Sequence, residues 1–350
     1  MIAAVVLLVI VITAVVVATG RDDRKGTVAG KGTGNAAERA AKAAQRLAGI
    51  RGLRYNGTFS SGGTTMQAQI AVTRAGSASG SITVDGEKAD LVAVDGSTYL
   101  KAGRNFWRSH GGVTTNPEDY AATWSRAPES SLDLDIPGVL SPNAVMRNLR
   151  ATGPQGSTAR TDVNGVPAVK ATTPQGDFYV SATGEPKLLR IQASGTRTHQ
   201  FDVSELTAAD VDGLFTELRT KVKNLTEVLD PGVRFSFTGG LKFSGCGPSG
   251  CTVKYTVTNE SQAAVQAVIK ATIRAGGRDL GSCTGSQALQ PDGKADLRCR
   301  VTSGGWKAWV RWARSTPGTH RYEAKAQVIG QNRPDVGPLL AKIEQERRGA

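Results

Sequence analysis

From Thr65 to Val72 apolar and polar side chains alternate: Met66, Ala68, Ile70 and Val72 fall on one side, Gln67 and Gln69 on the other. A period of two predicts a strand with one buried and one wet face. Comparable runs follow at Ser79–Asp85, Ala89–Val94 and Thr98–Lys101, with Asp85-Gly86 and Asp95-Gly96 between them. Such pairs favour the positive-φ turns of tight hairpins. Thr158–Val163, Val166–Thr172, Phe178–Ser181, Lys187–Ala193 and Thr198–Val203 repeat the pattern, with Asn164-Gly165 as another turn. The runs predict an antiparallel meander.

Helical spacing interrupts it. Ala36–Ile50 is an Ala-rich helix former expected to pack through Ala40, Ala43, Leu47 and Ile50. Short helices are expected at Pro117–Ser125 and at Ser141–Arg150, where Ser141 is the N-cap and Pro142 the first helical residue. Ala208–Leu225 carries an apolar stripe of Val211, Leu214, Phe215, Leu218, Val222 and Leu225. Past Pro231 come strands at Val233–Phe237, Thr252–Thr258, Val265–Ile273, Ala295–Val301 and His320–Ile329, the rhythm of a small sandwich. The fold class read from this is α+β. A curved antiparallel half-barrel sheet with covering helices (36–228) is followed by a disulfide-bonded β-sandwich (231–335), and 336–350 is a C-terminal helix or tail.

Ahead of the body lies an unbroken apolar run, Ile2–Thr19, so residues 1–20 read as a transmembrane signal-anchor and 21–35, rich in Gly, Thr and charge, as a flexible linker. A cleaved signal peptide is the rival, although no basic stretch precedes the run and no A-x-A site ends it. Arg21, Arg24 and Lys25 follow the run and, by the positive-inside rule, favour a cytoplasmic body. The cysteines argue the other way.

All four cysteines fall in the last third: Cys246 and Cys251 in CGPSGC, Cys283 and Cys299 around a hairpin-like stretch. An even count confined to one β-rich region predicts two disulfides in an oxidising compartment, with the local pairings Cys246–Cys251 and Cys283–Cys299. A structural zinc site is the alternative, but C-x4-C lacks a second close pair or a neighbouring His. The expected location is the plasma membrane, single-pass, with the body extracytoplasmic. Charge adds a partner class. The chain carries a formal +13, and Pro231–Ala350 holds 18 Lys or Arg against 8 Asp or Glu, a surplus that attracts anionic envelope polymers or lipid headgroups. No nucleic-acid-binding pattern accompanies it, so no nucleic acid is expected.

The opening helix running into GLRYNGTFS, the VDGSTYLK strand with FWRSH after it, and the late PKLLRIQASG and HQFDVSEL strands resemble the LolA-like half-barrel superfamily. Within it they resemble the LppX and LprG type of actinobacterial lipoproteins, over about residues 36–225. The resemblance implies a curved sheet cupping helices, with an apolar hollow for acyl chains of lipids or lipoproteins, hence lipid binding or lipid transport in the cell envelope. Those relatives carry a lipidated Cys, whereas this chain has an apolar segment with no Cys directly following it to accept a lipid.

On this reading Met66, Ile70, Val72, Leu91, Leu100 and Phe178 line the hollow, and Ala68, Ala89, Ala93, Ala168 and Ala171 leave room for a lipid or acylated ligand. Close helix packing against the sheet would fill that room instead. Trp306, Trp309 and Trp312, in WKAWVRW beside Lys307, Arg311 and Arg314, either close a core or form a surface contact. No cofactor, metal or catalytic residue is expected: the three His lack metal spacing, and no nucleophile motif is present. Two readings stand, a membrane-anchored lipid carrier and a non-catalytic structural or sensory ectodomain that binds an envelope partner through its basic sandwich.

Overall fold

The computed structural model describes residues 36–128, 132, 134–151, 160–195 and 198–349. The expected membrane segment and linker lie outside the described residues. Helix α1 (Ala36–Leu47) leads into β1 (Gly52–Ser61), β2 (Thr64–Thr73), β3 (Ala78–Val84), β4 (Glu87–Val94) and β5 (Ser97–Ala102). Next come α2 (Arg104–Ser109), β6 (Trp124–Arg126), α3 (Pro142–Arg150), β7 (Arg160–Val163), β8 (Val166–Thr173), β9 (Gly176–Ser181), β10 (Leu188–Ala193) and β11 (His199–Glu205). Helix α4 (Ala208–Lys223) and β12 (Val228–Leu229) lead to β13 (Phe235–Gly247), β14 (Gly250–Asn259), β15 (Val265–Ala275), β16 (Arg278–Leu289) and β17 (Lys294–Val301). Then follow α5 (Gly304–Ser315), β18 (Glu323–Asn332) and α6 (Val336–Gly349).

Local chemistry explains the turns and caps. Asp85-Gly86, Asp95-Gly96 and Asn164-Gly165 all take positive φ, as two-residue hairpins require. Ser141 accepts a hydrogen bond from the Ala144 amide, with Pro142 at the first helical position. Thr207 and Asp210 form a reciprocal capping box on α4.

Fifteen strands join one curved, open sheet in the order β16-β15-β18-β12-β6-β5-β4-β3-β2-β1-β11-β10-β9-β8-β7. Every neighbour pair is antiparallel except the single β12–β6 bridge, Leu229 beside Ser125. The sheet therefore continues past residue 228, where the half-barrel was expected to end. Glycines allow its coiling: a Cβ on Gly57 would lie 2.0 Å from the Gln200 carbonyl oxygen, and one on Gly80 2.1 Å from that of Gln69.

One face packs against α1, α2 and α3, with Tyr55, Trp107 and Phe201 among its wholly buried side chains. The opposite face of β4–β6 packs against α4 and α6 through Val92, Val94, Phe215, Leu218 and Ile343. Helix α6 is also tied by polar contacts, because Glu346 accepts hydrogen bonds from the Thr73 and Ser77 hydroxyls, both at 2.7 Å. One charge is buried inside α1. Arg39 donates to the carbonyls of Ser181, Thr183 and Gly184, closing the end of the β9–β10 connection.

In the C-terminal block a second sheet, β13-β14-β17, lies over β15, β16 and β18. Val253, Val257, Leu297 and Val301 face Ala267, Ile269, Ala271 and Ile273. Cys283–Cys299 joins β16 to β17, and Cys246–Cys251 closes the β13–β14 hairpin, the two pairings expected from spacing. Among the described residues no helix is long and apolar enough to cross a membrane.

Several expectations need correction. Pro117–Ser125 is not a helix. Asn116 and Ala122 adopt positive φ on either side of one 3₁₀ turn, Pro117–Asp119, and Trp124 already belongs to β6. The sequence reading missed α2, β16 and α5, and the terminal Val336–Arg348 stretch is helical. Ala168 points away from Ala171: Ala171 pairs with Phe178 on the helix-covered face, and three residues along a strand reverse the side.

Candidate functional site

The six residues expected to line a hollow share one face of the large sheet. Ile70, Gly80, Leu91 and Leu100 form a direct cross-strand row through β2, β3, β4 and β5. Met66 and Val72 are on the same side of β2, and Phe178 reaches that side through the ladder Gly57, Phe201, Ile191, Phe178. The meander thus brings all six to one layer. None is more than 4% exposed, and all belong to the core that α1 and α3 cover. Trp107 in the same core is wholly buried, and its indole N–H has no acceptor among the described residues.

Apolar surface is distributed differently in the C-terminal block. Strand β13 pairs only with β14 and holds no buried residue. Phe235 lies opposite Asn259, Phe237 opposite Val257 and Phe243 opposite Val253, so these aromatics point to the sandwich interior. Phe237 is nevertheless 47% exposed and Phe243 36%. The sandwich is uneven. At the β16–β17 edge Gly281 and Gly285 let the sheets approach and the Cys283–Cys299 bond pins them, while the β13–β18 edge stays open over the half-buried Ala324, Ala326 and Val328.

Helix α5 closes one end of this block. Ser303 caps it by accepting from the Trp306 amide at 3.1 Å. Trp306, Trp309, Val310 and Ala313, at i, i+3, i+4 and i+7, face inward. The Trp306 indole N–H donates to the Gly247 carbonyl at 2.9 Å. Tyr322 meets Phe243, Trp306 and Trp309 edge-on, at centroid distances of 5.0, 5.2 and 5.3 Å. Trp312, 51% exposed, lies 4.5 Å from the His320 ring. A hollow of about 290 Å³ opens here, lined in part by Trp309, Tyr322, Arg314 and His320. The three tryptophans therefore divide: Trp306 closes a core, Trp309 is half-buried and Trp312 is surface.

Lys307, Arg311, Arg314 and Arg321 are all exposed, and among the described residues none of them pairs with a carboxylate. Helix α5 itself contains no acidic residue. A larger cleft, about 470 Å³, lies where β5, β6, β15 and β18 meet, and its cations are already engaged. Arg126 stands 4.0 Å from Asp230, and Arg333 3.4 Å from Glu227. Among the described residues no three His, Cys, Asp or Glu side chains converge as metal ligands.

No family model matches the chain, and no curated protein matches it. Among solved structures it is similar to Pseudomonas aeruginosa MucB in complex with MucA, at 12% identity over 79% of this chain and 97% of that one, with a TM-score of 0.24. A second MucB complex, with MucA(peri), is 15% identical over 79% and 96%, with a TM-score of 0.25. A protein from Archaeoglobus fulgidus is 10% identical over 29% of this chain and 98% of that one, with a TM-score of 0.19.

Proposed function

We propose that this chain is a non-catalytic binding protein of the bacterial cell envelope, with an extracytoplasmic body whose contact surface is the aromatic, basic end of its C-terminal block. The supporting observation is where apolar surface remains uncovered. Of the four exposed large hydrophobic side chains among the described residues, three are Phe237, Phe243 and Trp312, the other being Val166. Phe243 and Trp312 lie at the α5 end, where Tyr322 and His320 meet them, and Phe237 lies further along β13 on Tyr255; exposed aromatics near unpaired cations are characteristic of a contact surface. The disulfides support a body outside the cytoplasm, and the apolar run Ile2–Thr19 supports tethering to the plasma membrane.

The test is quantitative binding of the body, residues 34–350, to washed envelope fractions of the host. That span is one compact unit and holds both disulfides and all three hydrophobic cores. Replacing Trp312 by Ser should weaken binding strongly with little change in melting temperature, because that side chain already lies half in water. Undiminished binding by that variant would sink the reading.

A lipid carrier acting through the helix-covered sheet face is the second reading. Two observations favour it, the single layer formed by Met66, Ile70, Val72, Leu91, Leu100 and Phe178, and the unpartnered Trp107 N–H in the same core. Close packing of those residues weighs against it. Native mass spectrometry of the gently purified body, searched for co-purifying lipid, tests it directly.

A further inference from the structure

Resting on the contact surface just proposed, we infer that the outward side of α5 docks on the anionic headgroup surface of a phospholipid bilayer. Lys307, Arg311 and Arg314 stand at i, i+4 and i+7 and therefore project along one side of the helix. All three are exposed, and the helix contributes no carboxylate to neutralise them. Several cations elsewhere in the molecule are paired, among them Arg46 with Glu205 and Glu185, Arg190 with Asp202, and Lys270 with Asp119, whereas on α5 all three are without a carboxylate among the described residues. Unpaired surface cations in a row match a continuous anionic partner.

Trp312 extends the argument from charge to lipid. It projects from α5 about 100° around the helix from Arg311, on the other flank of the outward side, and is half in water. Trp rings prefer the headgroup level of a bilayer, where an apolar body and a polar N–H are both satisfied, and a helix with Lys and Arg on its polar face can lie in that plane. The geometry favours a surface over a single ligand held in the hollow. Lys307, Arg311 and Trp312 do not line that hollow, whereas a flat anionic partner can meet all of them at once.

Co-sedimentation of the 34–350 body with large vesicles tests this. One preparation is phosphatidylcholine alone and the other an equal mixture with phosphatidylglycerol. Binding is expected only to the mixture, weakening with salt and accompanied by a blue shift in Trp emission. The combined variant K307Q, R311Q, R314Q should bind about a hundredfold more weakly, since each headgroup-level cation contributes about fivefold. The change W312A should remove most of the blue shift while leaving melting unchanged. Equal binding to both preparations, or binding to the mixture that survives the triple variant, overturns the inference. If the vesicles fail but purified wall polymer binds and depends on the same residues, the contact surface stands and the bilayer is the wrong partner. Failure of every envelope component would remove both.

Discussion

Gly285 on β16 and Arg298 on β17 approach so closely that a Cβ on the glycine would lie 2.0 Å from the arginine carbonyl oxygen. The obstacle is backbone, which cannot rotate away. Gly285→Ala should therefore cost about 1–3 kcal/mol. Gly213, exposed in the interior of α4 with open space around its Cβ position, should behave oppositely, Gly213→Ala gaining up to about 1 kcal/mol. Denaturant melts of the two variants under non-reducing conditions check both signs.

The two disulfides should contribute unequally. Cys283–Cys299 closes a loop with a sequence separation of 16 and Cys246–Cys251 one of 5. The loop-entropy relation then assigns about 3 kcal/mol to the first and about 2 kcal/mol to the second. Unfolding of the Cys-to-Ala pair variants, each made separately, measures the order. A larger loss from the shorter loop would contradict it.

Enlarging Ala68 or Ala93 to Leu distinguishes a packed interior from an occupied one. Both alanines are at most 2% exposed on the helix-covered face. Close packing predicts a loss of about 1–3 kcal/mol for either change. A variant that kept its stability but no longer carried a lipid found on the parent protein would instead support the carrier reading.

His199 gives the body a pH dependence. Burial lowers the pKa of its ring, which stacks against Phe201. A lowered folded pKa means that the unfolded chain binds the proton more readily, so this contribution to stability is full above the ordinary His value of about 6.5. It is lost as pH falls through the folded value. Melting temperature followed downward from neutral pH should fall less steeply for His199→Gln than for the parent. Identical slopes would show that the ring contributes nothing to the transition.

Much of the large sheet was legible because period-two alternation and Asx-Gly turns are local signals. The common face of Met66, Ile70, Leu91 and Phe178 follows from them. Strand β16 was hidden because Gly281, Cys283 and Gly285 replace large apolar residues on its inner side, the substitution that lets β17 come close. Helix α5 was hidden by its three tryptophans, which drew attention to chemistry; their i, i+3 spacing and Ser303 as cap were the available signals. Arg39 looked like one of several solvated charges on α1, since the carbonyls that bury it come from residues about 140 positions away. The exposed aromatics of β13 could not have been found by pattern, as alternation says which side a residue faces and not whether a second sheet covers it.

The hydrogen bonds that Glu346 accepts from Thr73 and Ser77 span more than 250 residues of sequence. The chain between must be synthesised before α6 can cover Val92, Val94 and their neighbours. Until then α4 alone covers that apolar face, and loop closure over so long a segment is slow compared with local hairpin formation. Assembly of the first half is thus coupled to completion of the second, and a polypeptide cut after residue 335 should emerge as a chaperone-dependent, aggregation-prone species rather than as a smaller soluble protein.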